Sequence, residues 1–119
     1  APDLDTFLRT DWEERFARRA AADLLAQLRC WDAGDIAEDP RHGGDLPRAL
    51  ASIEARVLLM PSATDLYFRV ADNEAELPHL RHGTLTPIPS IWGHRAGNPV
   101  ANAEDAAFLR RHVRAFLED

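Results

Sequence analysis

The chain has 119 residues, 45% of them hydrophobic, with a net charge of −6 and a single cysteine. That is one domain's worth of material or a piece of a larger one, and the acidic balance argues against nucleic acid or an anionic membrane as the main partner. No apolar run approaches the roughly 18 residues of a membrane span, and Cys30 has no second cysteine to pair with, so nothing suggests an oxidising compartment and the expectation is cytoplasmic.

The start, Ala1-Pro2-Asp3-Leu4-Asp5, is acidic and lacks the apolar core of a signal peptide. Asp11-Trp12-Glu13-Glu14 has the spacing of a capping box. Trp12, Phe16, Ala20, Leu24, Leu28 and Trp31 then recur every three or four residues, which predicts one long amphipathic helix over 11–34. Cys30 falls in this pattern, where a small packing residue is the simplest reading. Residues 35–44 are a polar loop. Leu46, Leu50 and Ile53 mark a short helix.

Val57-Leu58-Leu59-Met60, stopped by Pro61, reads as a strand covered on both faces, as in a parallel sheet. A helix follows over 70–77 and is broken by Pro78; His82-Gly83 makes a turn. Thr84-Leu85-Thr86-Pro87-Ile88 is a second strand, and Pro87, which cannot donate to a ladder on both sides, places it at a sheet edge or at its very end. Asn102 caps a last helix with Ala106, Leu109, Val113, Phe116 and Leu117 on one face. The order from residue 56 is strand–helix–strand–helix, a crossover unit of an α/β fold. Two parallel strands cannot bury both faces and both edges, so further strands must come from another segment or another chain.

Open α/β sheets place their sites in loops after the carboxyl ends of the strands. Asp65 follows the first strand there and His94 the second, the order in which an α/β-hydrolase delivers the acid and the base of its triad. A carboxylate on one imidazole nitrogen fixes the tautomer and stabilises the imidazolium formed when the other nitrogen takes a proton. The plainer alternative is a turn-capping Asp and an ordinary loop His. The nucleophile of such a triad sits earlier, in a Gly-x-Ser-x-Gly elbow, and this sequence has none.

Ser62 and Ser90 each follow a proline and lie in no elbow. His79-x-x-His82 has metal-compatible spacing but no third ligand, so no metal is expected. His42 and His112 read as surface residues, and Gly43-Gly44 is too short for a phosphate cradle. Trp12 and Trp31 read as packing residues, whereas Trp92, beside Gly93-His94, suits the wall of a pocket.

Three stretches resemble the homoserine O-acetyltransferase family of the α/β-hydrolase superfamily. Ala22-Asp23-Leu24-Leu25-Ala26-Gln27-Leu28-Arg29, with Trp31 and Asp35-Ile36, is similar to the family's helix after its lid. Met60-Pro61-Ser62-Ala63-Thr64-Asp65-Leu66-Tyr67-Phe68 resembles its acid loop, and Ile88-Pro89-Ser90-Ile91-Trp92-Gly93-His94-Arg95-Ala96-Gly97-Asn98-Pro99 resembles its histidine loop.

The resemblance implies that this is the C-terminal part of an α/β-hydrolase fold: residues 1–55 a helical segment adjoining the lid, residues 56–119 the last two strands with their helices. It implies catalytic roles for Asp65 and His94 and no bound cofactor, with acetyl-CoA or an ester as acyl donor and an alcohol or water as acceptor. The expected partners are the nucleophile-bearing N-terminal half of the fold, the small-molecule donor and acceptor, and a second copy, since lid helices dimerise in the family. Two departures are visible: Arg95 stands where homoserine transferases carry Asp after the histidine, and Arg69-Val70 stands where prolines follow Phe. The competing reading is a non-catalytic interaction domain whose long N-terminal helix pairs with its own copy.

Overall fold

A computed structural model describes residues 2–100 and 102–118. The chain divides into two compact units, Ala1–Ile36 and Ala37–Asp119.

The first unit is helical: α1 (Leu4–Phe7), a π-helical segment (Leu8–Glu13), α2 (Glu14–Ala17) and α3 (Ala21–Asp32). The expected start at Asp11 is displaced. Asp3 is the cap, its carboxylate accepting the Thr6 amide at 2.7 Å and the Thr6 hydroxyl at 3.1 Å. With the first-turn amides satisfied there, the helix runs through Asp11, which pairs with Arg15 one turn on at 3.0 Å. The predicted single helix is also divided, because Ala20 is extended (φ −73°, ψ 129°) and α3 starts afresh after it. Nothing in the local sequence, which is rich in helix formers, explains this break. Trp12 and Phe16 stack at 5.9 Å as an i, i+4 pair, yet both stay exposed, as do Leu25, Leu28 and Trp31. No residue of α1, α2 or α3 is buried.

The second unit begins with a 3-10 turn (Ile36–Glu38) and α4 (Leu46–Ala51), capped by Asp45, whose carboxylate accepts the Arg48 amide at 3.0 Å. Then come β1 (Val57–Leu59), α5 (Val70–Glu76) with a 3-10 extension through Pro78, β2 (Gly83–Leu85), a 3-10 turn (Gly93–Gly97) and α6 (Ala103–Glu118). Gly83 is required where β2 starts: a Cβ there would lie 2.9 Å from the Leu77 and Leu80 side chains. Asn102 caps α6 as expected, its carbonyl oxygen accepting the amides of Glu104 and Asp105.

The sheet is parallel, with Val57 opposite Gly83, Leu58 opposite Thr84 and Leu59 opposite Leu85. Pro87 interrupts β2, and pairing resumes at a bridge between Ser62 and Ile88. Ile88 is wholly buried, and Ala37, Ala49, Leu50, Pro61 and Ala96 are buried with it. All three residues of β1 are only half-buried. A parallel strand aims the backbone groups of successive residues to opposite sides. The Val57 amide bonds the His82 carbonyl, while the Leu59 and Pro61 carbonyls accept the Thr86 and Ile88 amides. Leu58 and Met60 therefore aim their backbone groups away from β2, toward an open edge. This half-covered, two-stranded sheet brings the loops after β1 and β2 side by side, and those loops carry Asp65 and His94.

Candidate active site

Asp65 and His94, 29 residues apart, meet at 3.0 Å between a carboxylate oxygen (Oδ2) and ring nitrogen Nδ1. The Asp65 side chain is 6% exposed and that of His94 56%. The other carboxylate oxygen accepts the amides of Tyr67 at 2.8 Å and Phe68 at 3.2 Å, an Asx-type turn that aims Oδ2 at the ring. Burial pushes the Asp65 carboxyl up, but the Tyr67 amide, the His94 ring and the Phe68 amide together outweigh it and hold the carboxyl below its usual range. At neutral pH Asp65 is thus an acceptor only, so the proton between the pair sits on Nδ1 of His94. In the neutral ring this leaves a lone pair on Nε2.

Tyr67 meets the ring edge-on and Phe68 tilts against it, each with centroids 5.4 Å away. An open cleft of about 630 Å³ is lined by Asp65, His94, Tyr67 and Phe68, with Asp72, Asn73 and Glu76 of α5 on the same cleft. A carboxylate, an imidazole oriented by it and the Tyr67 and Phe68 rings thus share one cleft, an arrangement able to take up and pass on a proton.

The histidine loop is tied down by residues whose contribution the sequence did not reveal. Gly93 has φ +54°, the left-handed region that favours glycine. Its amide donates to the Thr64 hydroxyl at 3.0 Å, and that hydroxyl donates to the Ser90 carbonyl at 2.9 Å. Ser90 Oγ donates to Asp105 Oδ2 at 2.7 Å, and Asp105 also accepts the Asn102 side-chain amide at 2.7 Å. The Asn102-x-x-Asp105 spacing is legible as a helix start. The link to Ser90 is not, since no periodicity connects a loop residue to a helix fifteen positions on.

Of the remaining candidates, Ser62 lines the same cleft and the others lie apart from it. Ser62 is buried and makes a long, 3.4 Å contact to the Ser90 carbonyl. His82 gives its carbonyl to β1, and His112 packs on Phe108 at 4.3 Å. The His42 amide bonds the Asp39 carbonyl, and Cys30 is exposed on α3. Among the described residues no group of three His, Cys, Asp or Glu side chains is placed to hold a metal, and no helix is long and apolar enough to cross a membrane.

No family model matches the chain. Among curated proteins it is similar to an ethyl acetate hydrolase of Pseudomonas veronii, 36% identical over 80 residues, which are 66% of this chain and 22% of that protein. It is 38% identical over 72 residues to a protein of Corynebacterium glutamicum named a probable esterase, covering 60% of this chain and 20% of that one. Among solved structures, the acetyl esterase MekB matches 98% of this chain with a TM-score of 0.83 and 28% identity. An acetylester hydrolase from Corynebacterium glutamicum matches 98% with a TM-score of 0.80 and 24% identity.

The fold is the C-terminal part of an α/β-hydrolase. The chain spans about a fifth of the length of these curated relatives and 33% of each solved chain.

Proposed function

We propose that this chain supplies the acid and the base of an ester-cleaving catalytic triad, Asp65 the acid and His94 the base. The serine nucleophile comes from the polypeptide that completes the fold. One observation carries this reading: the bond between His94 Nδ1 and a buried, ionised Asp65, which leaves Nε2 as a base beside an open cleft. Nε2 takes the proton of the serine hydroxyl as its oxygen attacks the ester carbonyl, and Asp65 stabilises the resulting imidazolium. The imidazolium then protonates the departing alkoxide, leaving an acyl-enzyme. Nε2 next activates water, whose oxygen attacks the acyl carbon and releases the acid and the serine.

The names of the relatives, an ethyl acetate hydrolase and acetyl esterases, support short acyl esters as the substrate class. The relatives are also named as hydrolases rather than acetyltransferases, which favours water as the acceptor. A second reading keeps the acyl-enzyme but passes the acyl group, from acetyl-CoA or an ester, to an alcohol. The Trp92-Gly93-His94 loop, with its likeness to homoserine O-acetyltransferases, favours it, and Arg95 argues against homoserine itself. The exposed Trp12, Phe16 and Leu28 support an apolar partner for the helical unit, either the rest of the fold or a second copy. The unpaired Cys30 keeps a cytoplasmic setting as the proposal.

The test is His94→Ala in the complete hydrolase, assayed on an aryl acetate with and without added alcohol. By analogy with serine-hydrolase triads kcat falls on the order of 10³–10⁶-fold. The ratio of free acid to new ester separates hydrolysis from transfer. Undiminished activity in the variant would end the proposal.

A further inference from the structure

The acid and histidine loops are joined by more than the bond between Asp65 and His94. Thr64, directly before the acid, grips the histidine loop at two points. Its hydroxyl donates to the Ser90 carbonyl at 2.9 Å and accepts the amide of Gly93, directly before His94, at 3.0 Å. Ser90 is anchored from the other side by Asp105 of α6, a carboxylate only 5% exposed, while its hydroxyl also accepts the Trp92 amide at 3.1 Å. From the first turn of α6 to the residue before His94, every link is a hydrogen bond through a side chain.

We infer that Thr64 is a positioning residue: its hydroxyl clamps the histidine loop to the acid loop and, with the Ser90–Asp105 anchor, sets where the His94 ring meets Asp65. The need for a clamp is physical. The ring is more than half exposed and touches Tyr67 and Phe68 only at their edges or at a tilt, so packing alone does not fix it. Gly93, in its left-handed conformation, is the pivot, and its amide has no partner besides Thr64 among the described contacts. A misplacement of about 1 Å at a reacting group can cost on the order of 10²-fold in rate. The inference rests on the proposed role of His94 as base, but the clamp itself can be measured without turnover.

Thr64→Val keeps the side-chain shape and removes the hydroxyl; Thr64→Ser keeps the hydroxyl. Thr64 is exposed, so neither change threatens the core. In the 119-residue chain, nitrogen NMR reads which ring nitrogen of His94 carries the proton, and hydrogen exchange reads the Gly93 amide. Thr64→Val is expected to speed Gly93 exchange by roughly 2- to 10-fold, the equilibrium value of one net hydrogen bond, and to admit the Nε2-protonated tautomer. Thr64→Ser is expected to restore both.

In the complete hydrolase Thr64→Val should lower kcat by about 10- to 100-fold with KM little changed, again rescued by Ser. Wild-type exchange and tautomer in Thr64→Val would overturn the clamp. Full kcat in Thr64→Val beside an inactive His94→Ala would overturn the positioning role. Retained activity in His94→Ala would instead refute the base assignment, with the clamp still decided by the NMR measurements.

Discussion

Replacing Asp65 with Asn probes the acid–base pair with the smallest change of shape. Asp65 Oδ1 accepts two amides, from Tyr67 and Phe68, and Oδ2 faces His94 Nδ1. An asparagine must keep its one oxygen on the two amides, because the reverse orientation would set an NH₂ group against two N–H donors. Its NH₂ therefore faces the ring, and Nδ1 has to become an acceptor. The ring proton moves to Nε2, and the lone pair that should receive the serine proton is lost. The loop keeps both backbone bonds, so the fold survives while the base is disabled. The corresponding Asp→Asn change in a serine protease, with geometry intact and the tautomer wrong, costs about 10⁴-fold in kcat, and a loss of that order is expected here. The assay is steady-state hydrolysis of an aryl acetate by the complete hydrolase, paired with nitrogen NMR of His94 in wild type and variant. A variant that shows the switched tautomer but wild-type kcat would refute the mechanism. One that keeps the Nδ1 proton would refute the hydrogen-bond argument.

Other expectations concern stability, pH and the open edge. Gly93→Ala forces a side chain into φ +54° with its Cβ 3.4 Å from the Thr64 carbonyl, and should cost about 1–2 kcal/mol, read by thermal unfolding; an unchanged midpoint would deny the strain. Ser90→Ala removes one of two donors to the buried Asp105 carboxylate and an acceptor for the Trp92 amide, a loss of about 1–3 kcal/mol by denaturant unfolding; a cost near zero would show that Asn102 suffices. Because the folded Asp65 carboxyl lies below its ordinary value of 3.8, its contribution to stability is complete above that pH and is lost as pH falls below it through the folded pKa. A carbon-NMR titration of Asp65 with a midpoint above 3.8 would contradict this sign. In the chain alone, the Leu58 and Met60 amides should exchange faster than those of Leu59 and Thr86, and adding the rest of the fold should erase the contrast; equal protection without it would show that the edge is already paired.

Local chemistry made several features readable from the sequence. The apolar run at 57–60 ended by Pro61, the helix broken at Pro78 and the Asn102 cap all depend on near neighbours, and the strand–helix–strand–helix order with Asp65 and His94 after successive strands follows from them. The arithmetic of two strands also raised the expectation of further strands from other polypeptide, and all three residues of β1 are half-buried. The helical unit was read less well. Trp12 to Trp31 hold one period, yet the cap is Asp3, the turn at Asp11 is a π-helical interior and Ala20 divides the run. Periodicity reports which residues share a face; it does not report where satisfied amides begin a helix or where it stops. Only the tertiary structure set the distance from His94 Nδ1 to Asp65, the Thr64 bridge and the Ser90–Asp105 anchor. Each joins residues 15 to 29 positions apart through hydrogen bonds that work only within a few tenths of an ångström, and that precision arises when β1 and β2 pair in register, which no local pattern encodes.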